Sequence, residues 1–168
     1  MQKPHIRLAT RDDLPRLVAI FNETVDDKIA HASLAPYTVA DRTAWFDTHN
    51  DDTRPIYVVC DDDGQIVAWA SFSDLYSLPA YHISAEISLY ITKPYHHKGL
   101  GKLLVAFMLK VAPQHGIKNV VALIFRHNLP SLSLFAQFEF VEWGVLPNIC
   151  DMDGFLADTV LMGRCLHE

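Results

Sequence analysis

A chain of 168 residues, half of them apolar and without a Pro- or Ser-rich linker, has the length of one globular domain, residues 1–168, with a full core. Its net charge of −6 comes from scattered acids, clustered only at Asp51 and Asp52 and at Asp61, Asp62 and Asp63, so no basic face points to nucleic acid or an anionic membrane, and the expected partner is a small molecule. The cysteines Cys60, Cys150 and Cys165 are odd in number, sit in apolar strand-like contexts and lack CxxC spacing, which predicts buried free thiols; with no apolar signal core in MQKPHIRLATRDD and no apolar run of about 18 residues, a cytoplasmic location is expected.

Residues 6–9 read as a short strand. Asp12 or Asp13 then caps a helix with Pro15 in its first turn and Leu14, Leu17, Val18 and Phe21 on one face. Residues 26–37 form a loop, after which Thr38 and Asp41 make an approximate capping box for a second helix carrying Ala44, Trp45 and Phe46. Apolar runs at 56–60 and 65–72 flank DDDG, an Asp-Gly turn signal, and predict a hairpin. Residues 74–82, DLYSLPAYH, have turn composition and two tyrosines. In 83–91, Ile83, Ala85, Ile87, Leu89 and Ile91 alternate with Ser84, Glu86, Ser88 and Tyr90, so one strand face is apolar and the other carries chemistry. A carboxylate in mid-strand is a poor strand former; Glu86 faces either a solvated sheet surface or a polar space.

The stretch PYHHKGLGKLL follows, with Gly99 and Gly101 between Lys98 and Lys102 and a helix beyond them whose apolar face is Leu103, Leu104, Phe107, Met108 and Val111. Glycine admits φ > 0 and close approach to bare amides. Amides of residues 97–102 at a helix N-terminus would favour an anion, although the residues alone leave a plain tight turn equally open. A P-loop is excluded, because Lys102 is followed by Leu103 and no glycine lies five positions before Gly101. His96 and His97 have no companion ligands at metal-binding spacing. Gly116, past Pro113, ends the helix. Residues 119–125 predict a strand buried on both faces, Asn128 opens a helix with Leu132, Leu134, Phe135 and Phe138 as apolar positions, and strands are expected near 141–149 and 155–166. The order is βααβββαβαββ.

That order and the glycine loop resemble the GNAT superfamily of acyl-CoA N-acetyltransferases over nearly the whole chain. The superfamily's pyrophosphate loop reads Arg/Gln-x-x-Gly-x-Gly/Ala, here His96-His97-Lys98-Gly99-Leu100-Gly101. FNETVDD, TAWF, AYHISAEISLYI, HNLPSLSLF and DGFLAD are similar to segments of the phosphinothricin acetyltransferase group. The resemblance implies an α/β (α+β) fold with a mixed, mostly antiparallel sheet flanked by helices. It also implies acetyl-CoA as co-substrate, no metal, and direct transfer of acetyl to the amino group of phosphinothricin, methionine sulfone, methionine sulfoximine or a similar small amino acid.

By the same resemblance Glu86, in Ala85-Glu86-x-x-x-Tyr90, is the catalytic base, and the backbone at Ser88, Leu89, Tyr90 and Ile91 serves the coenzyme arm, with an amide near Leu89 or Tyr90 polarising the thioester. His96, His97, Lys98, Gly99, Leu100, Gly101 and Lys102 hold the pyrophosphate. Asn128 and Ser131 match the family's Asn-x-x-Ser, alongside ordinary helix capping. His96 replaces the loop's first Arg or Gln and lacks its bidentate fork. Phe72 and Tyr81 are expected as apolar walls of the acceptor pocket. Lys28 and His31 are candidates for an anionic group of the acceptor, with a solvated loop as the plainer reading for Lys28. Phe135 stands where the family commonly has His and Glu139 where it has Gly, so no second acid-base residue comes from that position. The resemblance also implies a homodimer through the C-terminal strands and the segment before the Glu86 strand. Protein or peptide N-acetylation and non-catalytic acetyl-CoA sensing are the alternatives.

Overall fold

The computed structural model describes residues 4–166, so the start of the segment searched for a signal core lies outside the described residues. The elements follow the expected order: β1 (His5–Leu8), α1 (Leu14–Asn22), α2 (Val39–Asp47), β2 (Ile56–Cys60), β3 (Ile66–Asp74), β4 (Ser84–Ile91), α3 (Leu100–Val111), β5 (Asn119–Phe125), α4 (Leu129–Ala136), β6 (Val141–Asp151) and β7 (Leu156–Cys165). One seven-stranded sheet runs β1-β2-β3-β4-β5-β7-β6. Every neighbouring pair is antiparallel except β4 and β5.

Local chemistry sets the element ends. The box before α2 is closed: the Asp41 carboxylate accepts the Thr38 amide at 2.7 Å and the Thr38 hydroxyl oxygen accepts the Asp41 amide at 3.2 Å. Before α1 the cap sits earlier than the sequence suggests. A short 3-10 turn, Arg11–Asp13, precedes the helix, and Asp13 accepts the Thr10 amide at 2.7 Å instead of capping α1. The Arg7 guanidinium, paired with Asp13 at 2.7 Å, holds that carboxyl below its ordinary range. In the β2–β3 hairpin Asp61 accepts the amides of Asp63 and Gln65, and Gly64 supplies φ +77°.

The two sheet faces bury different things. Ala68, Ala70, Phe72, Ala85 and Ile87 pack under Leu104, Val105 and Met108 of α3. On the opposite face Trp69 packs with Leu17, Ile20 and Phe21 of α1, and its indole N–H donates to Leu17 O at 3.1 Å. The α3 seam is Leu100, Leu104, Val105, Met108 and Val111, with Leu103 turned outward, one step from the expected stripe. All three cysteines are free, but only Cys60 is buried; Cys165, at the end of β7, is exposed. Among the described residues no helix is long and apolar enough to cross a membrane.

Candidate active site

β4 and β5 pair only through Ser84–Asn119, Ala85–Val120 and Glu86–Val121. Beyond Glu86, β4 stays with β3 as far as Ile91 while β5 continues with β7. The strands therefore part, and one edge of residues 87–91 has no strand partner. Backbone groups freed in this way need another partner. The parting also explains Leu123: the apolar run of β5 predicts burial on both faces, but Leu123 is 42% exposed, facing the gap that β4 leaves.

Two adjoining cavities occupy this fork. The smaller, about 70 Å³, lies between the parted strands against Leu89, Ile124, Asn128, Ser131 and Phe135. The larger, about 260 Å³, holds Glu86 together with His31, Phe125, Cys150 and Thr159. They share Ala30, Ser88, Tyr90 and Leu123. A molecule lying in one would meet a molecule in the other at the Ser88–Tyr90 stretch.

Glu86 pairs across the sheet with Ser73, and Ser88 with Ser71, so the polar face of β4 continues onto β3. Burial raises the Glu86 carboxyl above its ordinary value. Tyr90 lies 4.7 Å from Trp69 and 5.0 Å from Phe21, ring to ring; burial and the Glu86 charge push its phenol upward.

His31 lies flat on Phe21 at 3.8 Å. The Thr24 hydroxyl donates to Phe21 O at 2.9 Å, so its oxygen accepts from His31 Nε2 at 3.1 Å, while Nδ1 accepts the Ser33 amide at 3.2 Å. Both nitrogens are thus committed, and burial lowers the ring's pKa. His31 offers the cavity a neutral wall, not the anion partner its position in the loop suggested. Lys28 is a clamp: its ammonium donates to the carbonyls of Met152 and Asp153 at 2.7 and 2.8 Å.

The expected acceptor walls are elsewhere. Phe72 is fully buried in the α3-side core beside Ala70 and Ile87, because period-2 alternation places it on the opposite face from Ser71 and Ser73. Tyr81 is exposed in the turn Pro79–Ile83, tilted against Tyr76 with ring centres 4.8 Å apart, and lines neither cavity.

In the glycine loop, Gly99 takes φ +85° immediately before α3. Gly101 is helical instead; a Cβ there would meet Leu134 at 3.1 Å, so its absence lets α3 and α4 approach. His97 takes φ +59°. His96 Nε2 donates to Ile91 O at 2.7 Å, so that nitrogen is already committed within the chain. The Lys98 ammonium rests over the Tyr95 ring at 4.8 Å. Asn128 caps α4, accepting the Ser131 amide at 3.2 Å, and also donates to Ile29 O in the loop above the larger cavity. Phe135 is buried edge-on to Phe140 at 4.9 Å.

Glu23, Cys150, Thr159 and Leu123 were missed by sequence reasoning. Cys150 follows a register shift in β6 and reaches the cavity from there. Pro147 and Asn148, the latter at φ +52°, are the local marks of that bulge.

The sequence matches the Acetyltransferase (GNAT) family over residues 17–140. YwnH of Bacillus subtilis (strain 168), named provisionally as a phosphinothricin acetyltransferase, is 43% identical over 159 residues, covering 95% of this chain and 97% of that protein. An L-methionine sulfoximine/L-methionine sulfone acetyltransferase of Pseudomonas aeruginosa is 31% identical over 157 residues, covering 94% and 91%. The crystal structure of a GNAT superfamily phosphinothricin acetyltransferase from Sinorhizobium meliloti in complex with acetyl-CoA aligns with TM-score 0.91 at 25% identity, over 98% of this chain and 89% of that one. The match runs through both parted strands and the glycine loop between them, and this chain belongs to the acetyltransferase (GNAT) family.

Proposed function

We propose that residues 1–168 form a single acetyltransferase domain that moves acetyl from acetyl-CoA to the amino group of a small amino acid of the methionine sulfoximine, methionine sulfone or phosphinothricin type. The observation that carries this reading is the position of Glu86, at the point where β4 leaves β5, in the wall of the larger cavity and two residues before Ser88, which both cavities share. The pantetheine arm fits the smaller cavity along the free edge of residues 87–91. The pyrophosphate fits the turn of Gly99, Leu100, Gly101 and Lys102, where first-turn amides of α3 lack intrahelical partners. The acceptor fits the larger cavity.

In this arrangement Glu86 takes a proton from the acceptor ammonium. The freed nitrogen attacks the thioester carbonyl, forming the C–N bond; an amide near Leu89 or Tyr90 stabilises the oxyanion, and the C–S bond breaks to release coenzyme A thiolate, which takes up the second proton of the attacking nitrogen to leave as the thiol beside the neutral amide. A carboxyl held above its ordinary pKa is a better proton acceptor than a solvated one. β6, a sheet edge with Val141, Trp143, Leu146 and Ile149 exposed, supports a homodimer through the C-terminal strands.

The test is coenzyme A release from acetyl-CoA with a panel of free amino acids, their analogues and short peptides. Turnover with the sulfone, sulfoximine or phosphinothricin is expected. Turnover restricted to peptides, or none with any amine, would reject the proposal.

A further inference from the structure

Six of the chain's seven arginines have a partner. Arg7, Arg11, Arg54, Arg126 and Arg164 pair with Asp13, Asp47, Asp74, Glu142 and Glu139, and Arg16 donates to Ile66 O. Arg42, in the middle of α2, has neither an ion pair nor a hydrogen bond among the described residues, yet it is half-buried. A guanidinium withdrawn from water without an anion is costly to keep.

Aromatic rings hold it in place. Its central carbon lies 4.0 Å from the centre of Trp45, 5.2 Å from Phe21 and 5.3 Å from Tyr37. Such contacts use the faces of the planar group and leave its in-plane N–H donors free for an oxyanion. These rings stand one layer behind the wall of the acceptor cavity: Phe21 stacks on His31 and packs against Tyr90, both of which line it, and Trp45 lies 4.6 Å from His49, whose Nε2 meets the hydroxyl of Ser73, the cross-strand partner of Glu86. The Arg42 charge is felt by His31, His49 and Tyr90. Lys28 is tied to two carbonyls and His31 is neutral, so neither competes for an anion.

We propose that Arg42 is the subsite for an anionic group of the acceptor, a carboxylate or a phosphinate on the molecule whose ammonium lies at Glu86. The inference rests on the acetyltransferase reading and makes Arg42 a specificity residue, reading charge from behind a cavity wall whose own residues are neutral or acidic.

The test is calorimetric titration of the coenzyme A-loaded protein, which needs no turnover. Three ligands separate the sources: L-methionine sulfone, with only a carboxylate; its carboxamide, with no anion; and phosphinothricin carboxamide, with only a phosphinate. Wild type should bind at least one anionic ligand roughly 10- to 100-fold more tightly than the neutral amide, the range expected for a charge-assisted hydrogen bond. Arg42→Gln should abolish that preference while leaving the neutral amide unchanged, and Arg42→Lys should keep part of it. Which anionic ligand suffers identifies the group read. Equal weakening of all three ligands, or none, would overturn the proposal. So would a wild type that binds the neutral amide as tightly as both anions, a result that stands even if Arg42→Gln fails to fold. Failure of the catalytic reading looks different: no turnover, or Glu86→Gln without effect, with the binding preference intact.

Discussion

The Glu23 carboxylate accepts the Thr92 hydroxyl at 2.7 and 2.9 Å and the Lys93 amide at 2.9 Å, joining the end of α1 to the end of β4 across 69 residues of chain. Thr92 is 5% exposed and leads into the turn that carries the glycine loop. The next residue, Thr24, holds His31, so two adjacent side chains secure the acceptor loop and the loop proposed for coenzyme A. Glu23→Ala leaves a buried hydroxyl without its acceptor and should cost about 1–3 kcal/mol. A several-fold rise in KM for acetyl-CoA should accompany the lower Tm. Glu23→Gln, which retains a carbonyl acceptor, should be milder in both; a Tm unchanged by Glu23→Ala would remove the clamp.

Gly99 and Gly101 should fail for different reasons when substituted. Gly99 sits at φ +85° with nothing within 4 Å of the place a side-chain carbon would take, so Gly99→Ala should cost about 1–2 kcal/mol through backbone strain alone. At Gly101 the backbone is helical, but the new carbon would press on Leu134 at 3.1 Å and approach Ile91 at 3.8 Å. Gly101→Val should therefore lower Tm as well as weaken acetyl-CoA, because it separates α3 from α4. Denaturation midpoints and coenzyme A affinity, measured on both variants, distinguish strain from overpacking.

Element order was readable because each segment's periodicity is local: alternation in 83–91 and the Thr38–Asp41 box both reappear in place. Phe72 was readable too, since alternation with Ser71 and Ser73 assigns it to the apolar face; resemblance to the family pointed the other way and the packing decided it. The parting of β4 from β5 was not readable, because a parallel register joins residues far apart in sequence and nothing in the apolar run of β5 marks where pairing stops. For the same reason Glu23 met Thr92 only in the fold. The commitments of His31 and His96 depend on which groups donate and accept around each ring, and residue type alone does not specify them.

Glu139, where the family commonly has glycine, takes φ +61° just past α4 while its carboxylate pairs with Arg164 at 2.8 Å. Glu139→Ala and Glu139→Gly both lose that exposed pair, worth little by itself, but only glycine relieves the left-handed backbone. The glycine variant should be more stable than the alanine variant by about 1 kcal/mol, reversing the order found inside helices. Equal midpoints, or alanine ahead, would contradict a strained backbone at this position.

Glu86→Gln should separate chemistry from stability. Burial raises the folded-state pKa of Glu86 above its unfolded value, so the favourable contribution of the protonated form is complete below the unfolded pKa and is lost as pH rises through the folded one. Near neutral pH the wild type therefore carries a buried carboxylate that the amide does not. Glu86→Gln should be the more stable protein at pH 7, and the gap should close toward about pH 4, where the wild-type carboxyl is protonated in both states. Activity should move the opposite way: if Glu86 takes the ammonium proton, kcat/KM near neutral pH should fall roughly 10²- to 10⁴-fold with acetyl-CoA binding unchanged. The wild-type rate should rise with pH through an apparent pKa above the ordinary carboxylate range, and the variant should regain part of its rate in alkaline buffer, where solvent deprotonates the amine. A structural Glu86 predicts neither the stability gain nor the alkaline recovery, so thermal unfolding and pH–rate profiles of the two proteins, measured side by side, decide between the roles.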